Sequence, residues 1–277
     1  MKPVAKYTLP LAVLLIGLPA VLVGTLRPAA PVDTEPALVA QRIQQRLFEA
    51  QQDLATDPAA AQAGVEEAVA QHVAALAPQI PPAAAAAAQA AENALAQAQA
   101  AAIARDAPGL AAARADYKTA LIWAGYLATI GATRSGSASS AGIWLKLRDY
   151  PPGSRFNPAS SRATLAIQAL ARGASTPAAA TAAVKHELDA AYEALLQEAL
   201  GATLSAAGQR FTQRAAESAA LAAGYFRILR ANFAARAGAE RAAAAGRAFA
   251  ALRDAAAAGD WPGVQRALAA VHEAFGA

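Results

Sequence analysis

The sequence predicts an all-α fold, an antiparallel bundle or array of about seven to nine helices after an N-terminal signal or anchor segment. Three observations predict it. Alanine, which has the highest helix propensity, is the most frequent residue of the 277-residue chain. Apolar residues recur at spacings of three and four, and no segment alternates apolar and polar residues as a strand does. The chain has no cysteine, so helix packing must hold the fold without disulfides.

The first segment, residues 1–30, has the pattern of an export signal. Lys2 and Lys6 precede an uncharged run from Tyr7 to Leu26, which is the order found in a signal peptide or in an uncleaved membrane anchor. Pro and Gly interrupt the run and no clean A-x-A cleavage motif follows, so both alternatives stay open. Either one predicts export, to the periplasm or the outer face of the cytoplasmic membrane. A Pro-rich linker, residues 31–36, leads to a helical domain over residues 37–277.

Charge and motifs argue against two classes of function. The chain has a formal net charge of +4, but three positive charges belong to the leader, so the exported part is close to neutral. It has no Lys/Arg block with interleaved aromatic residues, which argues against a nucleic-acid partner. Metalloprotease, nucleophile-elbow, Walker and dinucleotide-binding motifs are all absent from the sequence. The sequence therefore predicts a protein that is not an enzyme.

The first part of the exported domain, residues 37–109, is rich in Ala and Gln. Two amphipathic helices are predicted, over residues 36–54 and 59–76. His72 lies among apolar residues of the second helix, which favours a packed imidazole over a metal ligand. From residue 83 to 105 the apolar pattern dissolves into Ala and Gln, and this stretch is predicted to form a smooth, weakly packed helix.

The second part, residues 110–277, contains most of the aromatic residues and is expected to supply most of the core volume. A helix is predicted over about residues 110–130. The Gly/Ser-rich segment from Arg134 to Gly142 is predicted to be a flexible turn. Hydroxyl or carboxylate caps, Pro in the first turn and Gly at helix ends predict further helices. These cover about residues 161–171, 177–199, 209–237, 239–258 and 260 to the C-terminus.

The passage from Trp144 to Ser161 is the least alanine-like of the chain, and two interpretations of it stay open. Pro151 and Pro152 make helix continuation unfavourable. The passage can be a structural corner, in which the aromatic residues pack and Arg and Asp satisfy a helix end. It can also be a partner-binding surface, because aromatic residues and Arg dominate binding hot spots. The candidate residues are Trp144, Arg148, Asp149, Tyr150, Arg155 and Phe156.

A candidate metal site lies on one predicted helix face. His186, Asp189 and Glu193 follow one another at spacings of three and four, and imidazole with carboxylates can bind iron. The alternative is an ordinary charged outer face, with Lys185 and Glu187 as solvated neighbours.

Three stretches of the chain resemble one protein family. WLKLRDYPPGSRF…ATLAIQAL, from Trp144, is similar to the W-L-x-x-R-E-F-x-x-x-T-R-F…A-T-L-A-L segment of the extracytoplasmic, N-terminal domain of bacterial high-affinity iron permeases. AVKHELDAAYEALL, from Ala183, is similar to its V-x-x-D-L-x-x-x-Y pattern, and AAESAALAAGYFRIL, from Ala215, to its A-A-x-L-A-x-G-Y-x-x-I-L helix. The similarity covers roughly Arg114 to the C-terminus. An acid of the family pattern is replaced here by Arg162, and its Arg-Pro pair falls at Pro158 and Ala159.

The resemblance implies an exported, non-catalytic accessory domain of an iron-uptake system. The R-E-x-x-E segments of the permease have no counterpart, so the chain is not expected to form the pore. It is expected to dock to an iron permease or to present iron to it, with the six residues of the corner passage as the implied functional surface. Iron is the candidate ligand. A structural envelope spacer, or an interaction module without a metal role, remains the alternative.

Overall fold

The computed structural model describes residues 35–148 and 161–275, and within these ranges it contains helices and no strand. The predicted all-α class is confirmed. The described residues belong to one compact unit. Its ten described α-helices are α1 Pro36–Asp53, α2 Pro58–Gln71, α3 Ala85–Ala104, α4 Ala107–Arg134, α5 Ala138–Leu145, α6 Arg162–Ala171, α7 Pro177–Gly208, α8 Thr212–Ala237, α9 Ala239–Ala258 and α10 Trp261–Phe275.

The helix starts are determined locally by the sequence. Four helices begin with a side-chain oxygen that accepts a hydrogen bond from a backbone N–H three residues later, together with Pro in the first turn. The capping residues are Asp57, Asp106, Thr176 and Asp260, with bonds of 3.0 to 3.2 Å. Because both signals are local, these starts were predictable to within a few residues.

The segment from Arg134 to Gly142 is not the flexible turn that the sequence predicted. The turn covers only Ser135–Ser137, with Gly136 at a positive φ of 80°, and α5 begins at Ala138. Ala141 and Leu145 of α5 are buried in the core. Burial of this face outweighs the modest helix propensity of Ser and Gly, which is why α5 begins within the segment that was predicted to be a turn.

Helix α3 is also packed more closely than the sequence predicted. One face of it is buried along its whole length, and it lies against α4. A face made mostly of methyl groups allows two helix backbones to approach closely, so the scarcity of large side chains does not loosen the contact. The buried residues are Ala87, Ala91, Ala94, Leu95, Ala98, Ala101 and Ala102.

Helix α4 links the two large core clusters. One cluster joins α1, α2, α3 and α4 with Trp144 and Leu147, and the other joins α4 with the helices from α5 to α10. His72 lies in the first half of the domain, fully buried, with Nδ1 at 3.1 Å from the Tyr117 hydroxyl. Burial lowers its pKa, which favours the neutral, packed imidazole that the sequence predicted.

Among residues 35–148 and 161–275, no helix has the length and apolar character needed to cross a membrane. The predicted signal or anchor run from Tyr7 to Leu26 lies outside the described residues.

Candidate functional site

The end of α5 and the start of α6 are joined by Arg148. Its Nη1 donates hydrogen bonds to the Ser161 hydroxyl at 3.3 Å and to the Thr164 hydroxyl at 3.2 Å. Ser161 is the N-cap of α6, and its hydroxyl oxygen accepts from the backbone N–H of Thr164. The guanidinium therefore binds two side chains of the first turn of α6 and fixes that helix beside the last residues of α5.

Glu187 of α7 caps the same helix start. Its carboxylate accepts a hydrogen bond from the backbone N–H of Ala163 at 2.7 Å and from the hydroxyl of Ser161 at 2.8 Å. A carboxylate at this position also interacts favourably with the positive end of the helix dipole. The prediction that Glu187 is a solvated neighbour is wrong, because tertiary packing brings the first turn of α6 over it.

Trp144 is a core residue of this corner. Its side chain is buried and belongs to the same cluster as Leu147. A methyl group at Gly125 of α4 would come within 2.8 Å of the Leu147 Cβ and 3.2 Å of the Trp144 carbonyl oxygen. The glycine thus lets the segment after α5 approach α4 closely.

Two of the six candidate residues of the corner passage are therefore described. The contacts of Trp144 and Arg148 favour the structural corner over a partner-binding role for these two side chains. Asp149, Tyr150, Arg155 and Phe156 lie outside the described residues, and both interpretations stay open for them.

Sequence reasoning missed two exposed apolar side chains on the helices of this corner. Leu165 of α6 is 49% exposed and Ile143 of α5 is 40% exposed, and the two helices pack against each other. Arg162 is exposed one turn before Leu165. The signal was present, because Leu165 stands two residues from both of the buried positions of α6, Ala163 and Ile167.

The three candidate metal ligands on α7 do not form one site, because the two carboxylates are bound by other side chains of the protein. His186 is exposed. The Asp189 carboxylate accepts hydrogen bonds from the Tyr126 hydroxyl at 2.9 Å, from Lys185 Nζ at 2.6 Å and from the Asn232 amide at 2.9 Å. Lys185 also donates to the side-chain oxygen of Asn232 at 2.6 Å; its side chain is 41% exposed, so it is solvated in part and also bound to α8.

Glu193, the third metal candidate, pairs with Arg236 of α8 at 2.7 Å. Within the part of the chain that the structure describes, no three His, Asp or Glu side chains cluster as a metal-binding group. Both carboxylates join α7 to α8, Asp189 through Asn232 and Glu193 through Arg236.

Comparison with known proteins decides the family. The family model described as the iron permease FTR1 N-terminal domain matches residues 33–274. The chain belongs to this family. No curated protein and no solved structure matches it. Membership associates the chain with iron uptake, and the match includes the Ala-rich part, residues 37–109, which is too low in complexity to show a resemblance by its motifs.

The FTR1-like stretches of the sequence converge in the structure. Three residues of these stretches meet at the α5–α6–α7 corner. Arg148 and Thr164 match residues of the first family segment, and Glu187 stands where the second has an Asp. Tyr192 and Tyr225, from the second and third stretches, stack with ring centroids 6.2 Å apart and an interplanar angle of 15°. Within the described residues, these parts of the three stretches form contacts that hold α5 to α8 together.

Replacing Glu187 by alanine is expected to lower the free energy of unfolding by about 1–2 kcal/mol, because α6 loses a charged cap and Ser161 loses an acceptor. Glu187→Gln, which keeps one acceptor oxygen, is expected to lose less. Urea unfolding of residues 33–277 measures both. Glu273→Ala, which removes an exposed carboxylate of α10, is the control. An equally small loss in all three variants would contradict the capping role.

Proposed function

We propose that this chain is an exported, non-catalytic accessory domain of an iron-uptake system and that it docks to a high-affinity iron permease. Family membership supports the link to iron uptake. The charge-then-apolar order of the leader supports export. The carboxylates of Asp189 and Glu193 are bound by side chains of α8. The geometry therefore supports docking better than the presentation of iron from α7.

The observation that carries the docking proposal is the exposed apolar side chain of Leu165 in the first turn of α6. The hydrogen bonds of Arg148 and Glu187 hold the first turn of α6 in place. Its outer face then presents Leu165, flanked by Arg162, at little conformational cost. Apolar residues beside Arg are typical of binding hot spots, and Ile143 offers a second exposed apolar side chain on α5.

Leu165→Glu is expected to weaken binding to the permease by at least about thirtyfold, since a hot-spot residue contributes about 2 kcal/mol or more. Co-purification of the chain with a membrane protein that contains R-E-x-x-E segments measures this. Helicity and the unfolding midpoint should not change, because the side chain is half exposed.

Ile103→Glu on α3 is the matched control, since Ile103 is even more exposed, at 71%, and lies on the other part of the domain. It should bind as the unchanged chain does. Equal binding by the unchanged chain, Leu165→Glu and Ile103→Glu would contradict docking through this corner and would favour the envelope-spacer alternative.

A further inference from the structure

A groove of about 570 Å³ opens where α7, α8, α9 and α10 meet, away from the corner. This volume lies in the range of small-molecule sites, which are mostly apolar with a few polar groups at fixed positions. The apolar lining comes chiefly from Leu196, Phe226, Leu229, Phe233 and Phe275.

The floor of the groove is held by packed phenyl rings. Phe226 stacks on Phe249 with centroids 4.8 Å apart, and Phe233 lies 4.7 Å from Phe275. Phe226 and Phe275 also meet, edge to face, at 5.9 Å. The lining rings come from α8 and α10, and Phe249 of α9 packs against Phe226. The apolar surface is therefore preformed and needs little rearrangement to receive an apolar group.

The rim of the groove has an excess of positive charge. Arg236 and Glu193 neutralise each other in an ion pair of 2.7 Å. Arg241 of α9, also on the rim, is exposed and forms no ion pair with the residues that the structure describes. The groove therefore complements a ligand that carries one negative charge at its exposed end.

We propose that this groove binds a monoanionic amphiphile, a straight-chain monocarboxylate whose alkyl chain lies on the phenyl rings and whose carboxylate pairs with Arg241. The apolar contact supplies affinity and the charge fixes the orientation. The site is independent of the docking proposed for the corner, because it shares no residue with it.

Decanoate, kept below its micellar concentration, is the probe for residues 33–277, which contain both core clusters. In calorimetric titrations, each methylene added between octanoate and decanoate should tighten binding about fourfold. Arg241→Gln should weaken decanoate binding about tenfold and leave decanol binding unchanged. Arg247→Gln, which removes an exposed Arg of the same helix outside the groove lining, should alter neither.

Phe275→Ala should weaken decanoate and decanol alike, and a circular dichroism spectrum and melting curve check that the fold is retained. Equal binding of decylammonium and decanoate would overturn the proposal, as would affinity that does not depend on chain length. Absence of saturable binding up to the solubility limit of decanoate would also overturn it. None of these outcomes bears on the permease docking measured with Leu165→Glu.

Discussion

Replacing Gly224 by alanine is expected to lower the free energy of unfolding by about 3 kcal/mol, a large effect for the addition of one methyl group. Gly224 lies on α8 where that helix crosses α4. A Cβ at this position would overlap the hydroxyl and Cβ of Thr119 and come within 2.7 Å of its Cγ2. Thr119 is buried, and its hydroxyl donates to the carbonyl oxygens of Ala115 and Asp116. The side chain cannot turn away, so the helices must separate.

A matched control tests this interpretation, because not every helical glycine of the chain is enclosed. A methyl group at Gly246 of α9 would meet no neighbouring atom within 4 Å, so Gly246→Ala should stabilise the protein by about 0.5–1 kcal/mol through helix propensity alone. Thr119→Gly should restore part of the loss in Gly224→Ala, since it removes the overlapping atoms. Thermal and urea unfolding measure all four proteins. A Gly224→Ala variant as stable as the unchanged chain would contradict the close approach of α4 and α8.

The contrast between these glycines shows what the sequence could predict about the fold. Helix starts follow from Asp or Thr followed by Pro, all within one turn, and were predictable. The glycine of the G-Y pair in the third FTR1-like stretch was visible as a pattern, but its partner Thr119 is about a hundred residues away. The burial of α3 was missed for a related reason: a face of alanines with a single leucine has almost no hydrophobic periodicity, although it packs well.

The candidate site was predictable in part. The resemblance singled out Arg148 and the Trp144 passage, and the structure brings Arg148 to a corner with two later stretches. Glu187 was misjudged because its role depends on where α6 begins in space, while its sequence neighbours are ordinary for a solvated face. For Asp189, the pattern showed a carboxylate near a histidine, but the partners that occupy it, Tyr126 and Asn232, come from other helices.

A charge pair between a buried Asp of α4 and a partly exposed Arg of α9 underlies the second large effect. Asp116 is 5% exposed, and one of its carboxylate oxygens accepts a hydrogen bond from Arg253 while the other has no hydrogen-bond partner. Burial raises the pKa of Asp116, and the nearby Arg253 and Arg227 counteract this. Burial in turn lowers the pKa of Arg227. Burial thus works against the charged form of the carboxylate, and Arg253 is its direct hydrogen-bond partner.

Arg253→Met, which keeps an apolar stem and removes the guanidinium, is expected to lower the free energy of unfolding by about 3 kcal/mol at pH 7. The loss should shrink towards pH 4. A group whose folded-state pKa is raised contributes stability that is fully present below its unfolded pKa and is lost as the pH rises through the folded pKa. Removing Arg253 is expected to raise the pKa of Asp116 further, so the variant loses stability over a wider pH range than the unchanged chain. At low pH Asp116 is protonated in both proteins, and the loss of the guanidinium then costs little.

The double variant Asp116→Asn, Arg253→Met separates charge from packing. If the loss comes from an uncompensated carboxylate, a neutral amide at position 116 should recover at least half of it, and the remaining difference should not depend on pH. Urea unfolding of the single and double variants between pH 4 and pH 7 measures both quantities. A loss in Arg253→Met that is the same at both ends of this range would mean that the packing of the arginine stem, and not its charge, joins α9 to α4.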